Sequence, residues 1–177
     1  VSLGSTSLYN TTSGSYNTAI GNYALLFNTT ASSNTAVGYQ AGCSGTTTPF
    51  NVMIGYQAGY SDSTSAGYNV AVGRRALYSN TATENTAVGQ NAMSSNTSGT
   101  LNTGLGSGAM QNSTTGSYNT AIGVYSLNNN TTASYNTAVG YRAGYSQTTG
   151  DGRNAFFGRD TGYGSTGIRN TFIGDTA

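Results

Sequence analysis

Five carboxylates, one thiol and six guanidinium groups make up the charged and nucleophilic chemistry of this 177-residue chain, which has no Lys and no His. Paired carboxylates could cleave a glycosidic bond, one as acid and the other as base or nucleophile. Asp62, Glu84, Asp151, Asp160 and Asp175 do not form such a pair, because they fall at scattered places and mostly in turn-rich stretches. Without His there is no imidazole base, no Ser-His-Asp triad and no His zinc site. Glycine-rich stretches such as "GTLNTGLGSG" lack the following helix that a phosphate loop needs. The Gly-Gly-x-Gly-x-Asp nonapeptide of calcium-binding rolls does not occur. The expectation is a chain that is not an enzyme and uses no cofactor and no metal.

A single cysteine, Cys43, excludes an intrachain disulfide. The formal net charge of +1 leaves no electrostatic footprint for nucleic acid and no polybasic patch for a membrane. The longest apolar run, "YALLF" from Tyr23 to Phe27, is far too short to span a bilayer. No nucleic acid and no membrane insertion are therefore expected.

What could position any residue here is a repeat. The nonapeptide "NTAVGYQAG", Asn34 to Gly42, returns as "NVMIGYQAG", "NTAVGQNAM" and "NTAVGYRAG". The glycine closing each block stands at 4, 21, 38, 55, 73, 89, 106, 123, 140, 158 and 174, in steps of 16 to 18 that average 17. Each 18-residue step is followed by one of 16, so an inserted residue is compensated in the next unit. Stacked units that must stay in register behave this way.

Gly, Asn and Thr are poor helix formers and no 3.6-residue apolar stripe runs through the chain, so helix is not expected. The block after each Asn reads as a short strand bounded by turn residues. A second extended piece is expected around the small residue three places after each Gly, such as Ala24, Ala41, Ala58, Ala76 and Ala92. Two strands and two turns make one coil of a β-solenoid, with coils stacked at ~4.8 Å and a rod of about 48 Å for ten steps. Residues 1–177 then form one all-β solenoid domain, which opens in mid-pattern and reads as a fragment of a longer fibre.

Stacking places like residues above one another. The main ladder is Asn17, Asn34, Asn51, Asn69, Asn85, Asn102, Asn119, Asn136, Asn154 and Asn170, whose amides are expected to bond along the axis. A partial tyrosine ladder comprises Tyr9, Tyr60, Tyr78, Tyr145 and Tyr163, with Cys43 in the same slot. The strand block is apolar on both faces, as in strands buried on both sides. Thr and the aliphatic at the fourth position share one face; Ala or Gly takes the other. One face lines the coil and the other packs on a neighbouring chain, and the pattern leaves open which is which. Val37, Ile54, Val72, Val88, Ile122 and Val139 are the candidates for core or trimer packing. Phe156 and Phe172, which replace the usual Ala, join them as candidates to plug a symmetry axis.

The blocks "NTAIG", "NTAVG", "NVAVG" and "NTFIG", variants of one motif that recurs at ten Asn positions across the whole chain, resemble the head repeat of trimeric autotransporter adhesins, the YadA-like head family. They are also similar to the "NTAVGYQAL" arrays of bacteriophage tail-fibre proteins. The resemblance implies a left-handed parallel β-roll assembled as a homotrimer and exposed at a cell surface or on a virion. Adhesin heads favour shorter units with Ser and Val where this chain has Asn and Thr, which points toward a phage-type or environmental fibre.

Such a fibre segment would serve as a spacer and would recognise a cell-surface glycan or protein receptor. Arg74, Arg75 and Arg153 are the ligand-binding candidates, because they lie at the two irregular coils, the second of which carries the loop from Gln147 to Arg153. Arg153 and Arg169 share a unit position one coil apart, a costly arrangement without a partner. The alternative is an ice-binding protein using the ladder Thr18, Thr35, Thr86, Thr103, Thr120, Thr137 and Thr171. Strand alternation counts against it if these Thr share a face with buried aliphatics. Six Asn-x-Ser/Thr sequons, at Asn10, Asn28, Asn96, Asn112, Asn129 and Asn130, read as turn composition rather than as glycan acceptors.

Overall fold

The computed structural model of the chain describes residues 1–61, 67–146 and 152–177. Asp62, Asp151 and most of the Gln147–Arg153 loop lie outside the described residues. The described chain is all-β, a solenoid of about ten turns whose strands form one parallel sheet in strict sequence order from β1 to β11. The strands are β1 (Ser2–Leu3), β2 (Thr18–Ile20), β3 (Thr35–Val37), β4 (Val52–Ile54), β5 (Val70–Val72) and β6 (Thr86–Val88). They continue with β7 (Thr103–Leu105), β8 (Thr120–Ile122), β9 (Thr137–Val139), β10 (Ala155–Phe157) and β11 (Thr171–Ile173). The register pairs like with like: Thr18 with Thr35, Ala19 with Ala36, Ile20 with Val37.

Each described coil holds one strand, not the two expected from sequence. The segment after each Gly is a tight turn with left-handed residues at its second and fourth places, Tyr23 (φ 62°) and Leu25 (φ 49°) in the second coil. Ala24 sits between them and closes the turn with a bond to the Gly21 carbonyl at 3.2 Å. Left-handed backbone costs an L-residue roughly 1–2 kcal/mol. Hydrogen bonds to neighbouring coils offset that cost. Tyr23 N–H donates back to Ser5 O at 3.1 Å, and Leu25 N–H donates forward to Ala41 O at 3.0 Å. The turn thus joins the inter-coil ladder without being a strand.

The closing glycine has a separate requirement. Its φ lies between 127° and 138° in every coil, and a Cβ on Gly21 would fall 2.5 Å from the Gly38 carbonyl oxygen. Coils can approach to strand spacing at this corner only if the column is glycine throughout.

The core is three columns thick. Ala19, Ala36, Ala71, Ala87, Ala121 and Ala138, the middle residues of their strands, are fully buried. The second column is the turn Ala, and the third is the fourth turn residue, Leu25, Leu77, Met93, Met110 or Leu127. Where the strand residue is large, the third column shrinks to glycine. Met53 lies between Gly42 and Gly59, and Phe156 lies between Gly144 and Gly162. Phe156 is fully buried and stacks on Phe172 at 5.4 Å. These rings fill the interior of the chain's own coil, so Phe156 does not plug an external axis. Its volume is accommodated inside by the neighbouring glycines.

Candidate functional site

The strand faces are now distinguished. Ala or its replacement points inward; Thr and the fourth-position aliphatic stand on the outer face, half-buried to exposed. Val37, Val72, Val88 and Val139 are half-buried there, while Ile122 is 38% and Leu105 45% exposed. The threonines Thr18, Thr35, Thr86, Thr120 and Thr137 are half-buried beside them, and Thr103 and Thr171 are exposed. The objection that the Thr ladder is hidden with buried aliphatics is therefore overturned, because both lie outward. Small Ala, not the larger aliphatic, fits the narrow interior that a 17-residue coil leaves.

Aromatic residues flank this face. Phe50 and Tyr68 stack at 5.1 Å, Tyr118 and Tyr135 at 5.0 Å, and Tyr39 and Tyr56 at 5.5 Å. All six rings are exposed. Because they stack along the axis, each ring covers a face of its neighbour and presents mainly edges and hydroxyls to solvent. No charged side chain occurs before Asp62. The first part of the rod is thus an uncharged surface of Thr, aliphatic and aromatic groups.

The asparagine column lies behind this face. From Asn17 to Asn154, each Oδ1 accepts the backbone N–H of the Asn in the next coil at 2.8–3.1 Å. Nδ2 of Asn17, Asn34, Asn69, Asn85, Asn102, Asn119 and Asn154 donates to a loop carbonyl of the next coil at 2.7–2.9 Å. Side-chain amides bond one another only as a secondary contact, as between Asn136 and Asn119 at 3.2 Å. The ladder therefore works mainly by satisfying backbone groups at a buried corner.

A second buried asparagine column was not singled out from sequence. Asn28, Asn80, Asn96 and Asn130 are at most 1% exposed, and their Nδ2 atoms donate to the loop carbonyls of Ala31, Ala82, Gly99 and Ala133. Its signal was the Asn-Thr dipeptide recurring at unit spacing. Three of the six sequons, at Asn28, Asn96 and Asn130, consequently lie inside the folded rod.

The arginine candidates do not converge. Arg74 is exposed, and Arg75 is half-buried with its guanidinium 4.1 Å above the Tyr78 ring. Arg153 lies five repeats away, 5.5 Å over Tyr135. The charged groups that do meet are others. Arg142 donates to the Tyr163 hydroxyl at 2.7 Å and approaches Asp160 at 3.6 Å. Arg159 grips Asp175 through two bonds of 2.8 Å, which hold that carboxyl below the usual carboxylate range. These pairs sit in the same column of adjacent coils, a relation the unit spacing contains. A cavity of about 650 Å³ beside Arg142, Asp160, Tyr163 and Phe172 lies over the last described coil.

Cys43 is buried, and burial pushes its thiol pKa up. Among the described residues no three His, Cys, Asp or Glu side chains gather as metal ligands, and no helix is long and apolar enough to cross a membrane. No family model matches the chain, and no curated protein and no solved structure matches it either.

Proposed function

We propose that the chain is a structural and adhesive segment of an extracellular or virion fibre, in which three copies of the rod associate through the Thr and aliphatic face. The observation that carries this reading is the outer sheet face, where Ile20, Ile54, Leu105, Ile122, Phe157 and Ile173 form one exposed apolar column. Monomeric soluble proteins rarely leave contiguous apolar surface of more than a few hundred Å² uncovered. A column that repeats at strand spacing is best matched by a surface with the same period, and another copy of the rod has it. The homotrimer, the left-handed coil and the cell-surface or tail-fibre setting come from the resemblance of the NTAVG blocks to trimeric fibre heads. The fibre would act as a spacer and would bind a glycan or protein receptor along its neutral, Tyr- and Asn-rich flanks.

Sedimentation equilibrium tests the assembly: a mass of three chains supports it, and a compact monomer removes it. A glycan array probed with the assembled protein then tests recognition.

A second reading is favoured by one observation, the outward Thr column of β2, β3, β6, β7, β8, β9 and β11. A regular array of hydroxyl and methyl groups can order water, and on this reading the face binds ice as a single rod. Thermal hysteresis at micromolar protein, together with a monomeric mass, would favour it over the fibre.

A further inference from the structure

Tyr118 and Tyr135 occupy the same place in successive coils, each directly before a buried ladder asparagine. Their ring centroids are 5.0 Å apart and their planes differ by 5°. Both rings are open to solvent, at 50% and 48% exposure. Both residues hold left-handed backbone, φ 59° and 61°, a conformation that a bulky aromatic adopts only at a cost. The backbone beneath them is pinned on both sides. Tyr118 N–H donates to Thr100 O at 3.1 Å and Tyr135 N–H to Ser117 O at 3.0 Å. The next residues are held too, Asn119 N–H on Asn102 Oδ1 and Asn136 N–H on Asn119 Oδ1, each at 2.9 Å. Two phenols are thereby kept one coil apart, at an effective concentration that no encounter between free chains would match.

From this geometry we propose that the Tyr118–Tyr135 pair is a site of oxidative phenol coupling, taking hydrogen peroxide and a haem peroxidase as its oxidant. Each phenol loses one electron and one proton to become a phenoxyl radical. The radicals join through a carbon ortho to each oxygen, and the hydrogen on each of those carbons shifts to the oxygen, restoring two phenols. Two tyrosines and one peroxide thus give one dityrosine and two waters. The rings swing from stacked to edge-joined as the bond forms, which their exposure allows. The product is a covalent staple between neighbouring coils of one chain, closing a loop of about one repeat in the manner of a disulfide.

Other tyrosine pairs are less suited. The Tyr39–Tyr56 stack is wider and less parallel, at 5.5 Å and 14°. Tyr78 lies under the Arg75 guanidinium at 4.1 Å, and Tyr163 accepts a hydrogen bond from Arg142 at 2.7 Å; both contacts are closer than the 5.5 Å between Arg153 and the Tyr135 ring, so a cation opposes electron loss from them more strongly. Tyr16 takes the same repeat position as Tyr118 and is 88% exposed, but the residue in the next coil is Ser33. It is the internal control for exposure without a stacked neighbour. The coupling requires only one chain and does not rest on how many chains the fibre contains.

The test treats the native protein with horseradish peroxidase and hydrogen peroxide, then maps cross-linked peptides by mass spectrometry. The expected result is an intrachain Tyr118–Tyr135 peptide lighter by two hydrogens, with dityrosine fluorescence, and its disappearance when oxidation is done in denaturant. Tyr118→Phe keeps the ring stack and should eliminate that peptide, and Tyr135→Phe does the same if the first variant does not fold. Tyr16→Phe should leave it unchanged. The proposal is overturned if the wild-type product joins different chains or forms chiefly through Tyr16. It is equally overturned if the Tyr118–Tyr135 peptide forms as readily in the unfolded chain.

Discussion

Met53 occupies the space that a side chain on Gly42 would need: a Cβ there would lie 2.7 Å from the Met53 methyl carbon and 2.9 Å from Leu25 Cδ2. The Ala19, Ala71, Ala87 and Ala121 coils carry Leu25, Leu77, Met93 and Leu127 at the turn position, whereas the Ala36 and Ala138 coils, which precede Met53 and Phe156, carry Gly42 and Gly144, so the two columns share one fixed volume. Gly42→Leu should therefore destabilise the rod by about 1–3 kcal/mol through overpacking. Met53→Ala in the same chain should recover much of that loss, since the pair then matches Leu77 and Ala87 of the next coil. Urea unfolding of the two single variants and the double variant measures the coupling, expected at about 0.5–3 kcal/mol for residues in contact.

Asn102 offers a test of the ladder. Its Oδ1 accepts Asn119 N–H at 2.9 Å, and its Nδ2 donates to Gly116 O at 2.8 Å. Asn102→Ala leaves both backbone groups buried and unpaired, at a cost of about 1–3 kcal/mol for each. The exposed Asn112→Ala, in contrast, should stay within about 0.5 kcal/mol of wild type. Comparing their thermal midpoints separates ladder asparagines from those that merely populate turns.

Ile122 stands on the outer face at 38% exposure, with its neighbour Ala121 fully buried inside. If three rods associate through this face as proposed, Ile122→Arg should lower the sedimenting mass to that of one chain while leaving the circular dichroism spectrum nearly unchanged. Retention of the full mass would exclude this face from the assembly.

The Arg159 contact keeps Asp175 ionised below the ordinary aspartate range. A depressed carboxyl pKa means the contact is present above the unfolded value, near 3.9, and is lost as pH falls through the lower folded value. A carboxyl NMR titration should find Asp175 with a midpoint below that of an unpaired Asp. Arg159→Gln should return it to the ordinary range.

Cys43 should be inert while the rod is folded. Burial raises its pKa, so the thiol stays protonated in the native state, and whatever stability this provides is present below the unfolded thiol pKa and lost as pH rises through the folded one. A chromogenic disulfide reagent at neutral pH should react slowly with the native protein and rapidly after denaturation.

Much of this architecture is written along the chain. The 17-residue period, the parallel stack and its in-register columns follow from the spacing of Asn and Gly, because a coil that must lie on its copy repeats its residue types at one interval. The ten ladder asparagines, from Asn17 to Asn170, were visible for that reason. The second column at Asn28, Asn80, Asn96 and Asn130 was harder to see because its residues stand in stretches of Ser, Thr and Asn that read as loop. Only three-dimensional packing shows which turn amides face inward. Arg142 and Asp160, by contrast, each stand two places after a closing glycine, so the repeat already aligns them, and the structure adds their 3.6 Å approach.

Strand alternation by itself divides Thr18 and Ile20 from Ala19, but it is symmetrical about which side is inside. The closed coil breaks that symmetry: its interior is too narrow for an aliphatic side chain opposite Leu25, so alanine goes in and isoleucine goes out. The same volume limit sends Phe156 inward only where Gly144 and Gly162 make room. The period of the fold was thus determined by the sequence alone, whereas the choice of outer face was decided by packing volume, a property of the assembled coils that no single repeat contains.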